Sequence, residues 1–208
     1  MPSDSSKNYR RSIRLQEYDY TQAGAYFLTI CADERKSMFG KIVDGEIKLN
    51  QVGEAVKDEW LKTSAIRENV ELDEYVIMPN HFHAILWILE GRGTARRAPT
   101  FEQFGKPVAG SVPTIVRSFK SAVTKSTNNI RRHSSLVWQR NYYEHVVRNE
   151  ADLNRIREYI IFNPVRWQFD RDNPDGKPDR IEEEFWENLK PIVEFDRVYE
   201  PIIKKETL

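Results

Sequence analysis

The sequence predicts an α+β fold: a ferredoxin-like antiparallel sheet with helices on one face, followed by a C-terminal extension. Short apolar stretches rich in aromatic and β-branched residues are typical of strands. Longer stretches with apolar residues three and four positions apart are typical of helices. The two kinds of stretch alternate along the chain, whose 208 residues and 39% hydrophobic content allow one core of moderate size.

The first predicted elements are a strand, a hairpin and a helix. Residues 25–32 are rich in aromatic and β-branched side chains and predict a strand. Residues 39–49 predict a hairpin, because Asp44-Gly45 is a strong signal for a two-residue turn. Asn50 is a suitable N-cap for a helix over residues 51–64, where apolar residues recur at helical spacing.

Residues 74–88 predict one bent strand or a pair of strands, because Pro79 cannot donate a hydrogen bond to a neighbouring strand. Successive strand side chains point to opposite faces, so His81 and His83 share one face and Phe82 takes the other. Two imidazoles about 6–7 Å apart along a strand can reach one divalent ion. The spacing is equally compatible with two hydrogen-bonded core histidines, but unpaired polar groups are costly in apolar sequence. The pair is therefore a candidate metal site that lacks a third ligand.

The middle of the chain is basic. Residues 90–111 are rich in glycine, proline and arginine and predict a mobile basic loop. A helix is predicted over residues 112–127, with Arg117 and Lys120 off its apolar stripe and available to phosphates. Residues 138–148 combine aromatic and basic side chains and predict an edge strand. This pattern suits stacking on bases, although a role in the core is the more frequent explanation for any one aromatic residue.

A third helix is predicted over residues 150–162 and ends before Pro164. Its helical wheel places Arg155, Tyr159 and Asn163 on a line beside the buried stripe. Tyr159 and Asn163 are then neighbours one turn apart. A tyrosine in this position is also typical of the margin of a core.

The zero net charge conceals an uneven distribution. Residues 1–91 carry a balance of −4, residues 92–166 one of +9 and residues 167–208 one of −5. A charged run is usually a solvated face, but a basic middle beside a candidate metal site indicates a polyanion such as nucleic acid as partner. The acidic end is predicted to contain a linker and a short amphipathic helix at about residues 181–188.

Composition indicates a cytoplasmic protein, and the nucleic-acid partner that the basic middle indicates would make it nucleoid-associated. The sequence has no apolar run of 18 residues and a polar N-terminus, which indicates neither a membrane span nor a secretory signal. Its single cysteine, Cys31, excludes a disulfide within the chain.

The motifs together resemble those of the single-tyrosine HUH transposases, in which two histidines flank a bulky hydrophobic residue. Within that group the sequence is most similar to the REP-associated tyrosine transposases. The matching segments are residues 78–83 (Met-Pro-Asn-His-Phe-His), 138–140 (Trp-Gln-Arg), 143–148 (Tyr-Glu-His-Val-Val-Arg) and 159–164 (Tyr-Ile-Ile-Phe-Asn-Pro). The resemblance spans roughly residues 9–168, so we expect a disordered stretch over residues 1–9, the transposase domain over residues 10–168 and an acidic extension over residues 169–208.

The resemblance implies the HUH endonuclease fold and its chemistry. His81, His83 and Asn163 would be ligands of Mg²⁺ or Mn²⁺, although related transposases outside this subgroup commonly carry glutamine at the position of Asn163. Tyr159 would attack single-stranded DNA beside a hairpin formed by a palindromic repeat, leaving a 5′-phosphotyrosyl link and a free 3′-hydroxyl. The expected DNA contacts are Arg10, Arg11, Arg14, Arg117, Lys120, Arg140 and Arg155.

Other readings of the sequence stay open. One is a non-catalytic protein that binds DNA hairpins with the same fold. Another is a hydrolase or zinc-stabilised module built on the two histidines, which we disfavour because no thiol or carboxylate near the pair completes a tetrahedral set. Plasmid relaxases and replication initiators share HUH chemistry but commonly carry a helicase segment, which this short chain lacks. The sequence does not decide between a monomer and a homodimer.

Overall fold

The predicted α+β elements are present in a computed structural model that describes residues 18–90, 108–190 and 202–204. The strands are β1 (Gly24–Cys31), β2 (Gly40–Val43), β3 (Glu46–Leu49), β4 (Val70–Ile77), β5 (His81–Ile88) and β6 (Tyr143–Val146). The helices are α1 (Gln51–Ala65), α2 (Val112–Arg131), α3 (Glu150–Phe162) and α4 (Arg180–Asn188). Single 3-10 turns occur at Asp33–Arg35 and Trp167–Phe169.

Four strands form one antiparallel sheet in the order β4-β5-β1-β6, and β2 pairs with β3 in a separate hairpin. The stretch around Pro79 is two strands, because β4 and β5 fold back on each other with Ile77 opposite Phe82. β5 lies between β4 and β1, and all of its side chains are buried. The two histidines therefore occupy an interior strand, where a polar side chain needs a partner.

Local sequence signals explain where several elements begin and turn. The side chain of Asn50 accepts hydrogen bonds from the backbone of Val52 and Gly53 and caps α1 as predicted. Asp44 and Gly45 both have positive φ, 52° and 77°, which a tight hairpin turn requires. α2 continues to Arg131, four residues beyond its predicted end at 127.

Helices cover both faces of the sheet rather than one. β1 and β5 are apolar on both sides, so neither face can be left in contact with water. On one face α1 and α2 pack Trp60 and Phe119 against Phe82. The other, which we name the histidine face, carries His81, His83, Ile85 and Trp87 and is covered by α3 and α4. The prediction of an antiparallel α+β fold is confirmed. The predicted placement of the helices on one face is corrected to both faces.

The segment after residue 168 packs onto the histidine face. Phe185, Trp186 and Leu189 are buried in the same apolar cluster as Phe27. The predicted domain boundary at residue 168 stays a prediction, but the described part of the extension contributes to the core. Residues 1–9 and most of the predicted basic loop, residues 91–107, lie outside the described residues. No helix in the described part of the chain is long and apolar enough to cross a membrane.

Candidate metal and tyrosine site

His81 and His83 lie side by side on β5, fully buried, with ring centroids 4.4 Å apart. Each ring is held through Nδ1: that of His81 lies 2.8 Å from Asn80 Oδ1, and that of His83 lies 2.9 Å from Thr29 Oγ1. The Nε2 atoms of both rings are buried without a hydrogen-bond partner among the described residues. Rings held through one nitrogen with the other left free are typical of metal-binding histidines.

Electrostatics favours an uncharged imidazole at this position. Burial, together with the neighbouring His81, lowers the pKa of His83 well below its ordinary value of 6.5. A neutral ring keeps a lone pair on Nε2, and that lone pair is what a metal ion requires. His83 is thus a competent ligand at neutral pH.

Asp170 supplies a carboxylate beside the histidines. One nitrogen from each imidazole and a carboxylate oxygen of Asp170 all lie within 4.8 Å of one another. Asp170 Oδ2 is 3.6 Å from His81 Nε2, and Oδ1 accepts a hydrogen bond of 2.6 Å from the backbone of Asp172. The prediction that no carboxylate lies near the histidine pair is therefore wrong. Asp170 lies after the last helix that the sequence predicts within residues 10–168. Nothing in the neighbouring sequence marked it as a metal ligand.

Asn163 joins the same cluster from the end of α3. It is buried, and its Nδ2 donates a hydrogen bond of 2.6 Å to Asp170 Oδ2. Its Oδ1 is buried without a hydrogen-bond partner among the described residues. Three polar atoms on His81, His83 and Asn163 are thus buried around one carboxylate, without a hydrogen-bond partner among the described residues. Such atoms are costly unless a further group satisfies them, so the residues present fit a divalent cation.

Tyr159 stands next to this cluster. Its ring lies 5.3 Å from the ring of His83 and stacks on Phe185 at 3.7 Å between centroids and 5° between planes. Its hydroxyl donates a hydrogen bond of 3.0 Å to Glu182 Oε1. Burial and the negative charges of Asp170 and Glu182 raise the pKa of Tyr159 well above its ordinary value. The phenol is therefore neutral in this state and needs help to act as a nucleophile.

The residues predicted to contact DNA do not all lie in one place. Lys120 and Arg140 line one groove of about 450 Å³ beside Trp138. Lys120 donates hydrogen bonds to the carbonyl oxygens of Gln139 and Arg140, and burial lowers its pKa to about 8. Two other predicted contacts, Arg117 and Arg155, do not line this groove, and three more, Arg10, Arg11 and Arg14, lie outside the described residues.

Arg155 is engaged within the protein. It forms an ion pair with Asp152, which also accepts a hydrogen bond of 3.2 Å from Arg148 and lies 2.9 Å from His145 Nε2. Burial opposes ionisation of Asp152, but these bonds outweigh it and lower the pKa of that carboxyl. His145 thus holds the N-terminal turn of α3, and its contact there is structural.

Comparisons with known proteins agree with the motifs. No family model matches the chain. An uncharacterised protein of Haemophilus influenzae is 40% identical over 172 residues, which are 79% of this chain and 93% of that one. A second Haemophilus influenzae protein, which carries the name REP-associated tyrosine transposase, is 27% identical over 161 residues and 76% of each chain.

A solved structure shares the fold. It is a REP-associated tyrosine transposase bound to a REP hairpin, with a TM-score of 0.51 and 19% identity over 94% of this chain and 98% of that one. The antiparallel four-stranded sheet with its helices is therefore an arrangement already seen in that group. The chain belongs to one family with the 40% identical Haemophilus protein, and it is related in sequence and in fold to the REP-associated tyrosine transposases, as its motifs indicate.

Proposed function

We propose that this protein is a metal-dependent transposase that cleaves and rejoins single-stranded DNA beside a hairpin. The observation that carries the proposal is the meeting of two buried imidazoles, a carboxylate, an amide and a tyrosine on the histidine face. These groups are far apart in the sequence: Asp170 is 87 residues from His83 along the chain. Packing of α3 and the turn after it onto β5 brings the groups together.

The cation would be held by His81, His83, Asp170 and Asn163. Their donor atoms are two nitrogens and two oxygens, a set that suits Mn²⁺ and admits Mg²⁺ and Zn²⁺. When bound, such an ion polarises the phosphoryl oxygens of a scissile phosphate and neutralises the charge that develops there. Thr29 and Asn80 keep the imidazoles oriented throughout, because each bonds the nitrogen that faces away from the cluster.

Tyr159 would be the nucleophile. Its phenolic oxygen attacks the phosphorus of a single strand, the bond to the 3′ oxygen breaks, and a 5′-phosphotyrosyl link with a free 3′-hydroxyl results. Because this link conserves the energy of the broken phosphodiester, the 3′-hydroxyl of a strand can reverse the step without ATP. Stacking on Phe185 fixes the ring of Tyr159 for this attack.

The DNA is expected to be a palindromic hairpin with an adjacent single strand. The related solved transposase was bound to a REP hairpin. In this chain, the groove lined by Lys120, Lys125 and Arg140 offers positive charge, and Trp138 offers an aromatic surface. A DNA substrate of this kind would make the protein nucleoid-associated.

Denaturing electrophoresis with labelled hairpins from the protein's own genomic flanks tests the proposal. We expect a covalent protein–DNA band with Mn²⁺ or Mg²⁺ and none with EDTA. Tight hairpin binding without any band would favour a non-catalytic hairpin-binding protein. That second function is favoured by one observation, the half-buried position of Tyr159 under α4.

Replacing Asp170 by asparagine is expected to weaken Mn²⁺ binding about tenfold or more, because it removes an anionic ligand without changing the size of the side chain. Isothermal titration of Mn²⁺ into the protein without DNA measures this directly. Asp175, exposed on the same segment, provides the matched control Asp175→Asn. Equal Mn²⁺ affinity in wild type and Asp170→Asn would show that Asp170 is not a ligand.

Replacing Arg140 by glutamine is expected to weaken hairpin binding and to reduce by about 1 the slope of log affinity against log salt, as the loss of one phosphate contact does. Filter binding over a series of NaCl concentrations measures both quantities. Lys57→Gln on α1, outside the groove, is the control. An unchanged salt slope for Arg140→Gln would remove the groove from the DNA interface.

A further inference from the structure

Glu182 is a buried carboxylate that holds the hydroxyl of Tyr159. Its relative exposure is 2%, and its Oε1 accepts hydrogen bonds from three groups. These are the Tyr159 hydroxyl at 3.0 Å, Trp186 Nε1 at 2.8 Å and the backbone N–H of Arg171 at 3.2 Å. One oxygen atom of Glu182 is thus directed at the group proposed to react with DNA.

The position of Glu182 in α4 makes this contact unexpected. Asp179 caps the helix by accepting a hydrogen bond from the backbone of Glu182 at 3.0 Å. In an Asp-x-x-Glu pattern the glutamate ordinarily turns back toward the backbone N–H of the cap residue. Here the Glu182 carboxylate instead turns inward, to Tyr159 and Trp186. Helix capping therefore does not account for its orientation.

Simple packing does not account for it either. Buried glutamates are rare unless they are paired with a cation, and among the described residues no lysine or arginine side chain forms an ion pair with Glu182. In the described part of the chain, the hydrogen bonds to this carboxylate come from an indole, a backbone amide and the phenol. Burial raises the pKa of Glu182, which makes its carboxylate a stronger base than an exposed one.

We propose that Glu182 is the general base of the strand-transfer reaction, a role that rests on the function proposed above. As the phenolic oxygen of Tyr159 bonds to phosphorus, its proton passes to Glu182 Oε1. The bond between phosphorus and the 3′ oxygen breaks with its electron pair on that oxygen, which takes a proton from water. In rejoining, a 3′-hydroxyl attacks the phosphotyrosyl phosphorus and gives its proton to water, and Glu182 returns its proton to the departing phenolate.

Trp186 and Arg171 position this base. Their two N–H groups fix the same Oε1 that receives the Tyr159 proton, so the carboxylate does not have to reorient during the reaction. The guanidinium of Arg171 also lies 3.9 Å from the Trp186 ring centroid and braces the indole. The helix α4 therefore contributes a reacting group in addition to covering the histidine face.

The test is the single-turnover rate of the covalent DNA adduct in Glu182→Gln. Glutamine preserves the size of the side chain and an oxygen for Trp186 but cannot take the proton. We expect the rate to fall about 10²- to 10⁴-fold, with hairpin affinity and Mn²⁺ affinity unchanged. Glu183→Gln, exposed on the next position of the same helix, should react at the wild-type rate.

The outcomes separate this role from the proposed function. A wild-type adduct with an equal or faster rate in Glu182→Gln overturns the base role alone and leaves α4 as a cover. No wild-type adduct with any flanking hairpin overturns both. Should thermal melting show that Glu182→Gln is unfolded, Glu182→Asp takes its place. A tenfold or greater loss in that variant supports the base role, because the shorter carboxylate no longer reaches the phenol, and an unchanged rate overturns it.

Discussion

Phenylalanine in place of Tyr159 is expected to abolish the covalent protein–DNA adduct completely. The substitution removes the oxygen that would bond to phosphorus and keeps the ring that stacks on Phe185. Hairpin binding should stay within a few-fold of wild type, because the groove beside Trp138 is formed by other elements. Denaturing electrophoresis measures the adduct, and filter binding on the same preparations measures affinity.

The matched control is Tyr75→Phe. Tyr75 is a partly buried tyrosine of β4 that packs against the opposite apolar cluster, so its hydroxyl takes no part in the site. Tyr159→Phe also leaves the buried Glu182 with one donor fewer, at a cost of about 1–3 kcal/mol. Thermal melting should therefore show a lower midpoint for Tyr159→Phe. An adduct that persists in Tyr159→Phe and disappears in Tyr75→Phe would place the nucleophile elsewhere.

Local pattern was sufficient to predict the strands, the helices and part of the site. His81 and His83 share a face because successive side chains of a strand point to opposite faces, whatever surrounds the strand. The bounds of α3 followed from its apolar period and from Pro164. Tyr159 and Asn163 were placed one turn apart by the same period. Each of these predictions depends on residues fewer than five positions apart.

The long-range partners could not be predicted from pattern. Asp170 lies just before the predicted linker, and Glu182 lies in the short acidic helix predicted at about residues 181–188, neither of which carries a signal for contact with the two histidines. Both become buried only because the turn after α3 and the helix α4 pack onto the histidine face. The same packing places helices on both sides of the sheet. A sequence period reports that a helix has an apolar face but not which face of a sheet receives it.

The charge pattern of the sequence was also an incomplete guide to the DNA contacts, for the same physical reason. Arg155 lies on the expected face of α3, yet Asp152 three residues earlier already neutralises it. Lys120 and Arg140 are brought to one groove by the contact of α2 with the segment that follows it. A basic side chain that already forms an ion pair with a buried carboxylate is less available to a DNA phosphate. That competition is decided by tertiary packing.

Alanine in place of His81 or His83 is expected to remove the stabilisation of the protein by divalent metal. With Mn²⁺ at 100 times its Kd, a cation that binds only the folded state stabilises it by about 2.7 kcal/mol. For a chain of this size that corresponds to a rise of roughly 5–10 °C in the thermal midpoint. Differential scanning fluorimetry with Mn²⁺ and with EDTA measures the shift without any DNA, so the result does not depend on catalysis.

His133→Ala is the matched control, because His133 is exposed and lies outside the cluster. It should keep the full Mn²⁺-dependent shift, while the His81 and His83 variants melt at one temperature with or without the ion. The two buried Nε2 atoms explain why the effect should be large: neither has a hydrogen-bond partner among the described residues, and binding the cation satisfies both at once. An undiminished shift in His83→Ala would mean that the ion binds elsewhere and that the two histidines serve the core alone.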